Sequence, residues 1–317
     1  MQLSTDDIGD AAGYVGQMTD NPTSRDWAGV IALGLIWGGT FMVVALALEG
    51  YGPVTVATAR TTLGAVALLV LMWGTGRSMP AWDRALWESI TIIGILSTAL
   101  PFVLLSWGQQ YVPSAFAGLS MAAIPLMVLP LAHFFSDEPL NARKFIGVTM
   151  GFCGALVLIG PGLSQLGQGT QPLAQLACIG AAFCYSLASI FTRRCPPVDP
   201  VTLAALTLVV GSVILVPIML ISEGVPVWQD ARSGLAIIAL GLLPTALATL
   251  LRVSIIRSAG SVFMTLVNYQ VPVWSMVFGA WILSEVLPLR FFIALAMILA
   301  GLGISQWYSL RRLLAVR

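Results

Sequence analysis

Two amides, Asn268 and Gln270, stand inside a stretch that is otherwise mostly apolar. Ser261, Thr265, Asn268, Pro272 and Ser275 recur there at helical spacing and so share one helix face. A polar stripe with an interior proline turns away from lipid. Proline also removes one backbone hydrogen bond and frees a carbonyl of the preceding turn. Amides, hydroxyls and a freed carbonyl on one face can hold a polar ligand, or they can act as glue between helices. The equivalent positions of an earlier segment, Ser114, Gly118, Met121 and Pro125, form a smaller and more apolar face.

Two further pairs of segments carry polar or ring side chains at mid-length. Ser97, Thr98 and Pro101 stand in one, and Pro244, Thr245 and Thr249 in its counterpart. Helices broken near the membrane midplane can present backbone groups to a carboxylate. Trp37 and Thr40, and Tyr185 and Ser189, occupy the middle of two more segments, away from the interfacial belt where such rings gather. The pattern predicts a binding set of Trp37, Thr40, Thr98, Met121, Tyr185, Ser189, Thr245, Thr265, Asn268 and Gln270. In it, Asn268 and Gln270 hold the polar end of a ligand, and Trp37, Met121 and Tyr185 its apolar part. Core packing is the competing reading for the rings. Pro101, Pro125, Pro244 and Pro272 are the expected hinges, since proline lets helix halves tilt. Arg60, the one base inside a segment, is expected to snorkel or to pair with Glu49 rather than to bind a ligand. His133 is expected to pack near the membrane interface, with proton coupling as the rival role.

What is missing narrows the chemistry. No carboxylate lies deep in any apolar segment: Glu49, Glu138, Glu223 and Glu285 fall at segment ends, and Glu88 in a first turn. A cationic ligand or a proton relay would lack its buried counter-charge. The expected ligand is a small molecule, neutral or zwitterionic overall. A phosphorylated ligand would need buried Lys or Arg, and Arg60 alone offers that. The chain has no H-E-x-x-H, no mid-segment Asp pair and no Ser/His dyad, so an intramembrane enzyme is not expected. Cys153, Cys178, Cys184 and Cys195 form no C-x-x-C pair and are expected to be buried structural thiols. Neither a metal nor a cofactor is expected, and no basic patch points to nucleic acid.

The elements that position these residues must be membrane helices. Hydrophobic residues make up 58% of the 317 and charged residues 9%, with mean hydropathy +0.91. A soluble domain carries about 45–50% apolar and about 25% charged residues, so lipid is the solvent for most of this chain. Apolar windows predict ten spans at 27–48, 54–73, 86–107, 113–135, 143–160, 172–192, 200–221, 232–252, 260–283 and 290–310. Residues 1–26 form a polar, acidic tail without the positive start of a secretory signal, and 311–317 a basic tail. With the N-terminus inside, twelve bases face the cytoplasm, among them Arg77, Arg84, Arg143, Lys144, Arg193 and Arg194. The outer loops hold only Arg232 and Arg290. This bias predicts both termini in the cytoplasm.

The chain also resembles itself at a shift of 147 residues. Pro53-Val54-Thr55 matches Pro200-Val201-Thr202, Gly64 matches Gly211, and Thr98-Ala99-Leu100 matches Thr245-Ala246-Leu247. Pro125 matches Pro272, Glu138 matches Glu285, and Gly154 matches Gly301. The repeats are expected over 27–160 and 172–310, with five spans each. An odd count inverts the second copy, a transporter signature that places a site between the repeats and gives alternating access. Gly34 with Gly38, and Gly147 with Gly151, form G-x-x-x-G pairs. They are expected to pack neighbours within the chain rather than drive dimerisation, so a monomer is expected.

Trp37-Gly38-Gly39-Thr40-Phe41 looks like the Trp-Gly-x-x-Phe element of the EamA-type drug/metabolite transporter superfamily. Pro53 followed by Arg60 resembles the opening of its second helix, and Glu138 and Glu285 resemble its repeat-ending Glu. The resemblance covers roughly residues 27–310 and is similar in overall look to bacterial amino-acid exporters of the YddG type, which also handle methyl viologen. It implies an all-α membrane fold of ten helices around a central cavity, a location in the bacterial inner membrane, and export of neutral or aromatic amino acids. Nucleotide-sugar or phosphorylated-metabolite carriers share that architecture, and a non-transporting membrane sensor or assembly factor is the rival of another class. Cys184-Tyr185-Ser186 departs from the pattern, standing where Trp37-Gly38-Gly39 would recur.

Overall fold

The computed structural model describes residues 22–136, 141–160 and 169–307. The tail up to residue 21, Glu138 and residues 308–317 lie outside the described residues. Eight helices among the described residues are long and apolar enough to cross a membrane. They are α1 (Ser24–Leu48), α2 (Pro53–Gly74), α3 (Arg84–Gly108), α4 (Ser114–Phe134), α5 (Ala142–Ile159), α6 (Gln171–Arg194), α7 (Pro200–Ser222) and α8 (Ala231–Ile256). Two shorter helices, α9 (Val267–Ile282) and α10 (Leu289–Ser305), occupy the positions of the last two predicted spans.

Helix starts follow local chemistry. Thr23 and Asp26 cap α1 in a reciprocal box. Asp83, Asn141, Asp199 and Asp230 accept backbone N–H groups at the starts of α3, α5, α7 and α8. Pro53, Pro172 and Pro200 sit in first turns, where a missing N–H costs nothing. The ninth span departs from expectation. Gly260 has φ +86°, and Thr265 and Leu266 form a turn, so the span is broken twice and continuous helix resumes only at Val267. The bend exploits a backbone region open to glycine.

Val66, Phe152, Phe183 and Val213 are exposed in mid-helix, the arrangement expected where lipid is the solvent. Trp27, Trp73, Trp82, Trp228, Trp281 and Trp307 are exposed near helix ends, as in an interfacial belt. Inside, the helices pair reciprocally. α2 packs on α7, α4 on α9 and α5 on α10. α1 packs on α9 as α6 packs on α4, and α1 on α8 as α6 on α3. Individual contacts repeat the relation. Gly64 faces Thr245 while Gly211 faces Thr98, and Gly147 faces Gly301 while Gly154 faces Ala294. Each pair becomes the other under the 147-residue shift, which is what a two-fold relation between repeats requires. α5 and α10 run antiparallel, because contacts move down one helix as they move up the other.

Candidate functional site

The irregular helices bring the predicted residues toward the middle of the bundle. α3 widens into a π-turn at Ile95–Ala99, just ahead of Pro101, and α8 does so at Leu242–Leu247 around Pro244. Proline clashes with the preceding turn, and an extra residue in the turn relieves the clash. α4 is interrupted at Ala122 and Ala123, just before Pro125. Pro272 differs: it lies within unbroken α9, and the Ser275 hydroxyl donates to its carbonyl at 2.9 Å.

Trp37 of α1 lies beside the α8 irregularity, where its indole Nε1 donates to the Pro244 carbonyl at 3.3 Å. The adjacent Thr245 presses its methyl against Gly64 of α2 and donates its hydroxyl to the Leu240 carbonyl at 3.0 Å. Thr98 holds the matching place in the other repeat, with its hydroxyl rather than its methyl toward the glycine. It packs on Gly211 and donates to the carbonyls of Gly94, at 2.6 Å, and Thr207, at 3.3 Å. Both hydroxyls are thus satisfied by backbone where helices cross closely. Thr40 is buried and donates to Ile36 of its own helix at 2.9 Å.

A second group gathers among α1, α4 and α9. Met121 is buried in the main core with Val267 and Val271. Gln270 packs over Gly34, and Trp274 over Gly38, so that glycine pair serves a contact within the chain. Thr265 and Asn268 are partly buried at the start of α9, and Ser189 is partly buried one turn beyond Tyr185 on α6. The Ser261 side chain lies outside the described residues. Tyr185 packs against both of the larger core clusters and so stands at their junction.

Two expectations are corrected. Glu49 pairs with Arg232, at 3.4 Å, and not with Arg60. Arg60 instead holds its guanidinium 3.9 Å from the centre of the Phe102 ring on α3, within electrostatic reach of Tyr185. Arg60 points inward because the α2 face it occupies packs against other helices and not lipid. Phe102 carried no signal in the sequence, being one apolar residue among many. The second correction concerns the thiols: Cys178 and Cys184 are buried, but Cys153 is exposed on α5 and Cys195 is only partly buried.

Charged contacts lie at the two ends of the bundle. At the end predicted to face outward, the Glu223 carboxylate accepts the Val54 and Thr55 amides at 3.0 and 2.8 Å. The Glu285 carboxylate accepts the Ser114 and Ala115 amides at 2.6 and 3.1 Å. At the opposite end Arg77 pairs with Asp199 at 2.9 Å, and the Ser258 hydroxyl donates to Asp26. Burial by itself raises the Asp199 pKa. The Thr202 amide, the Arg77 guanidinium and the Val201 amide outweigh it and hold the carboxyl below its ordinary range. An open cleft of about 430 Å³ lies at this end, lined by Arg77, Val201, Leu250, Val253, Ser254 and Ser258.

Comparison with known proteins agrees with this architecture. The EamA-like transporter family matches the chain twice, over residues 27–160 and 172–306. The uncharacterized transporter YoaV of Bacillus subtilis is 23% identical over 286 residues, which is 90% of this chain and 97% of the relative. A probable terminal-alkyne amino-acid exporter of Streptantibioticus cattleyicolor is 24% identical over 287 residues, 88% of this chain and 90% of its own. A protein of known crystal structure, 20% identical, superposes with a TM-score of 0.65 over 91% of this chain and 99% of its own. Two family matches, in register with two sets of helices that pack reciprocally, show that this multi-pass membrane protein belongs to the EamA-like transporter family.

Proposed function

We propose that the protein exports small zwitterionic metabolites, foremost neutral or aromatic amino acids, across the bacterial inner membrane, with both termini in the cytoplasm. The observation that carries this reading is the character of the inner residues. Trp37, Tyr185, Asn268 and Gln270, rings and amides of α1, α6 and α9, are partly buried. Trp37 and Gln270 reach across the repeats to Pro244 and Gly34, while the described carboxylates stand at helix ends. Such a lining suits a molecule with a polar end and an apolar body and offers nothing to neutralise a net cation. One relative is named a probable terminal-alkyne amino-acid exporter, which supports the same class. The reciprocal packing of the repeats supports alternating access, since exchange of their two arrangements would move the opening from one side to the other. Pro101, Pro125 and Pro244, each beside an irregular turn, would supply bends for such an exchange, whereas Pro272 would act from within an unbroken helix.

The test is counterflow in proteoliposomes across an amino-acid panel, with and without a pH gradient. Saturable exchange of neutral or aromatic amino acids is expected, with a several-fold loss in Asn268→Ala. An absence of flux for every amino acid, in protein that remains monodisperse, removes this reading.

A further inference from the structure

Among the described residues, Arg60 is the one base that lies mid-span and faces the interior. Its Nε is buried and has no hydrogen-bond partner. Its described neighbours are the Phe102 ring face and Tyr185. No described carboxylate is free to serve it. Glu49 is paired with Arg232, Glu88 with Arg84 and Asp199 with Arg77. Glu223 and Glu285 are bound to backbone amides, and Asp26, Asp83 and Asp230 cap their own helices. A guanidinium withdrawn from bulk water is costly unless an anion pairs with it, and a ring face offsets only part of that cost. Arg60 is nevertheless partly accessible. Phe102 of α3 and Tyr185 of α6 stand beside it, so a ligand that reached that surface would sit against both rings.

We infer that Arg60 anchors the carboxylate of the transported molecule, with the rings of Phe102 and Tyr185 flanking the contact. The inference deepens the proposed export function and rests on it. The planar guanidinium suits a carboxylate bidentately. The bound carboxylate supplies the counter-charge that the protein withholds, so the empty site is the costly state and the loaded site the satisfied one. This also explains how a site without acids selects zwitterions over amines: the protein fixes the anionic end and leaves the ammonium to neutral acceptors.

The experiment compares wild type, Arg60→Lys and Arg60→Met by thermal shift in detergent and by phenylalanine counterflow in liposomes. The probes share one aromatic body: phenylalanine, 3-phenylpropionate, phenylalaninamide and phenyl phosphate. Wild type should be stabilised by the two carboxylates and not by the amide. Arg60→Met should lose about ten- to hundred-fold in apparent affinity for the carboxylates, as expected for a charge-assisted hydrogen bond. Its preference for acid over amide should collapse toward one. Arg60→Lys keeps the charge without the fork and should fall between; if Arg60→Met does not fold, a drop in carboxylate affinity in monodisperse Arg60→Lys carries the test. Equal carboxylate responses in wild type and variants overturn the inference, as does amide binding that matches acid binding in wild type. Stabilisation by phenyl phosphate alone overturns it in favour of a phosphorylated cargo. If 3-phenylpropionate binding depends on Arg60 but no amino acid is moved, the anion anchor stands and the amino-acid reading fails.

Discussion

Trp37 was expected to line a site because a large ring with a polar edge lay at mid-span. Its indole N–H donates to the Pro244 carbonyl, within a π-turn where the backbone ladder is disturbed. Trp37→Phe keeps most of the ring and removes that donor. A loss of about 1 kcal/mol of stability is expected, measured as a lower thermal midpoint, together with a change in transport rate if the π-turn moves. An unchanged midpoint would make the contact incidental. The opposite lesson comes from Arg60. Its place inside a span was plain from the sequence, but its partner was not: Glu49 is near in sequence, yet α8 brings Arg232 to Glu49 first. Sequence distance along α2 fixes how deep a side chain lies. Which helix faces it depends on packing, and the spans are too uniformly apolar to reveal a buried face.

Helices α2 and α4 of the first repeat begin under carboxylates from the second repeat, Glu223 and Glu285. A carboxylate at a helix N-terminus satisfies orphan N–H groups and meets the favourable end of the dipole. Glu285→Gln keeps the shape and drops the charge, and should cost about 1–2 kcal/mol. The checking measurement is thermal stability across ionic strength, with Glu285→Gln less stable than wild type and its loss shrinking as salt rises. The α5–α10 pair tests packing instead. A Cβ on Gly301 would lie 2.5 Å from the Gly147 carbonyl oxygen, a backbone atom that cannot turn aside. Gly301→Val should therefore cost about 1–3 kcal/mol or more, while the same change at Gly303, where nothing lies within 4 Å, should be far milder. Span positions were legible to within a few residues for α2, α5 and α7 because lipid imposes length and apolarity together. The start of α9 was not, because its bend rests on the backbone angle of Gly260, and a glycine in an apolar run reads equally well as helix.

Across the whole molecule, the 147-residue register was the most legible feature, and the reciprocal contacts of Gly64 and Gly211 give it physical form. The charge bias assigned the two ends to opposite sides of the membrane, and the ends differ in build. One is tied by Glu223, Glu285 and the Glu49–Arg232 pair; the other holds the cleft beside Arg77–Asp199. The Arg77–Asp199 pair joins the end of α2 in the first repeat to the start of α7 in the second, and so ties the two repeats at that end. Its pH dependence has a definite sign. The folded-state pKa of Asp199 is depressed, so its contribution is complete above the ordinary carboxylate pKa of about 4 and is lost as pH falls through the depressed value. The pair is partly exposed, which limits its worth to about 1 kcal/mol or less. Thermal midpoints followed from pH 7 down to pH 3 should therefore decline more steeply in wild type than in Asp199→Asn, which starts lower and lacks that part of the slope. Arg77→Gln removes only one cause of the depression and should leave an intermediate slope, because the Thr202 and Val201 amides still favour the charged carboxylate. Parallel curves for wild type and Asp199→Asn would mean that the ends of α2 and α7 are held by apolar packing alone. The cleft beside them would then open without breaking an ion pair.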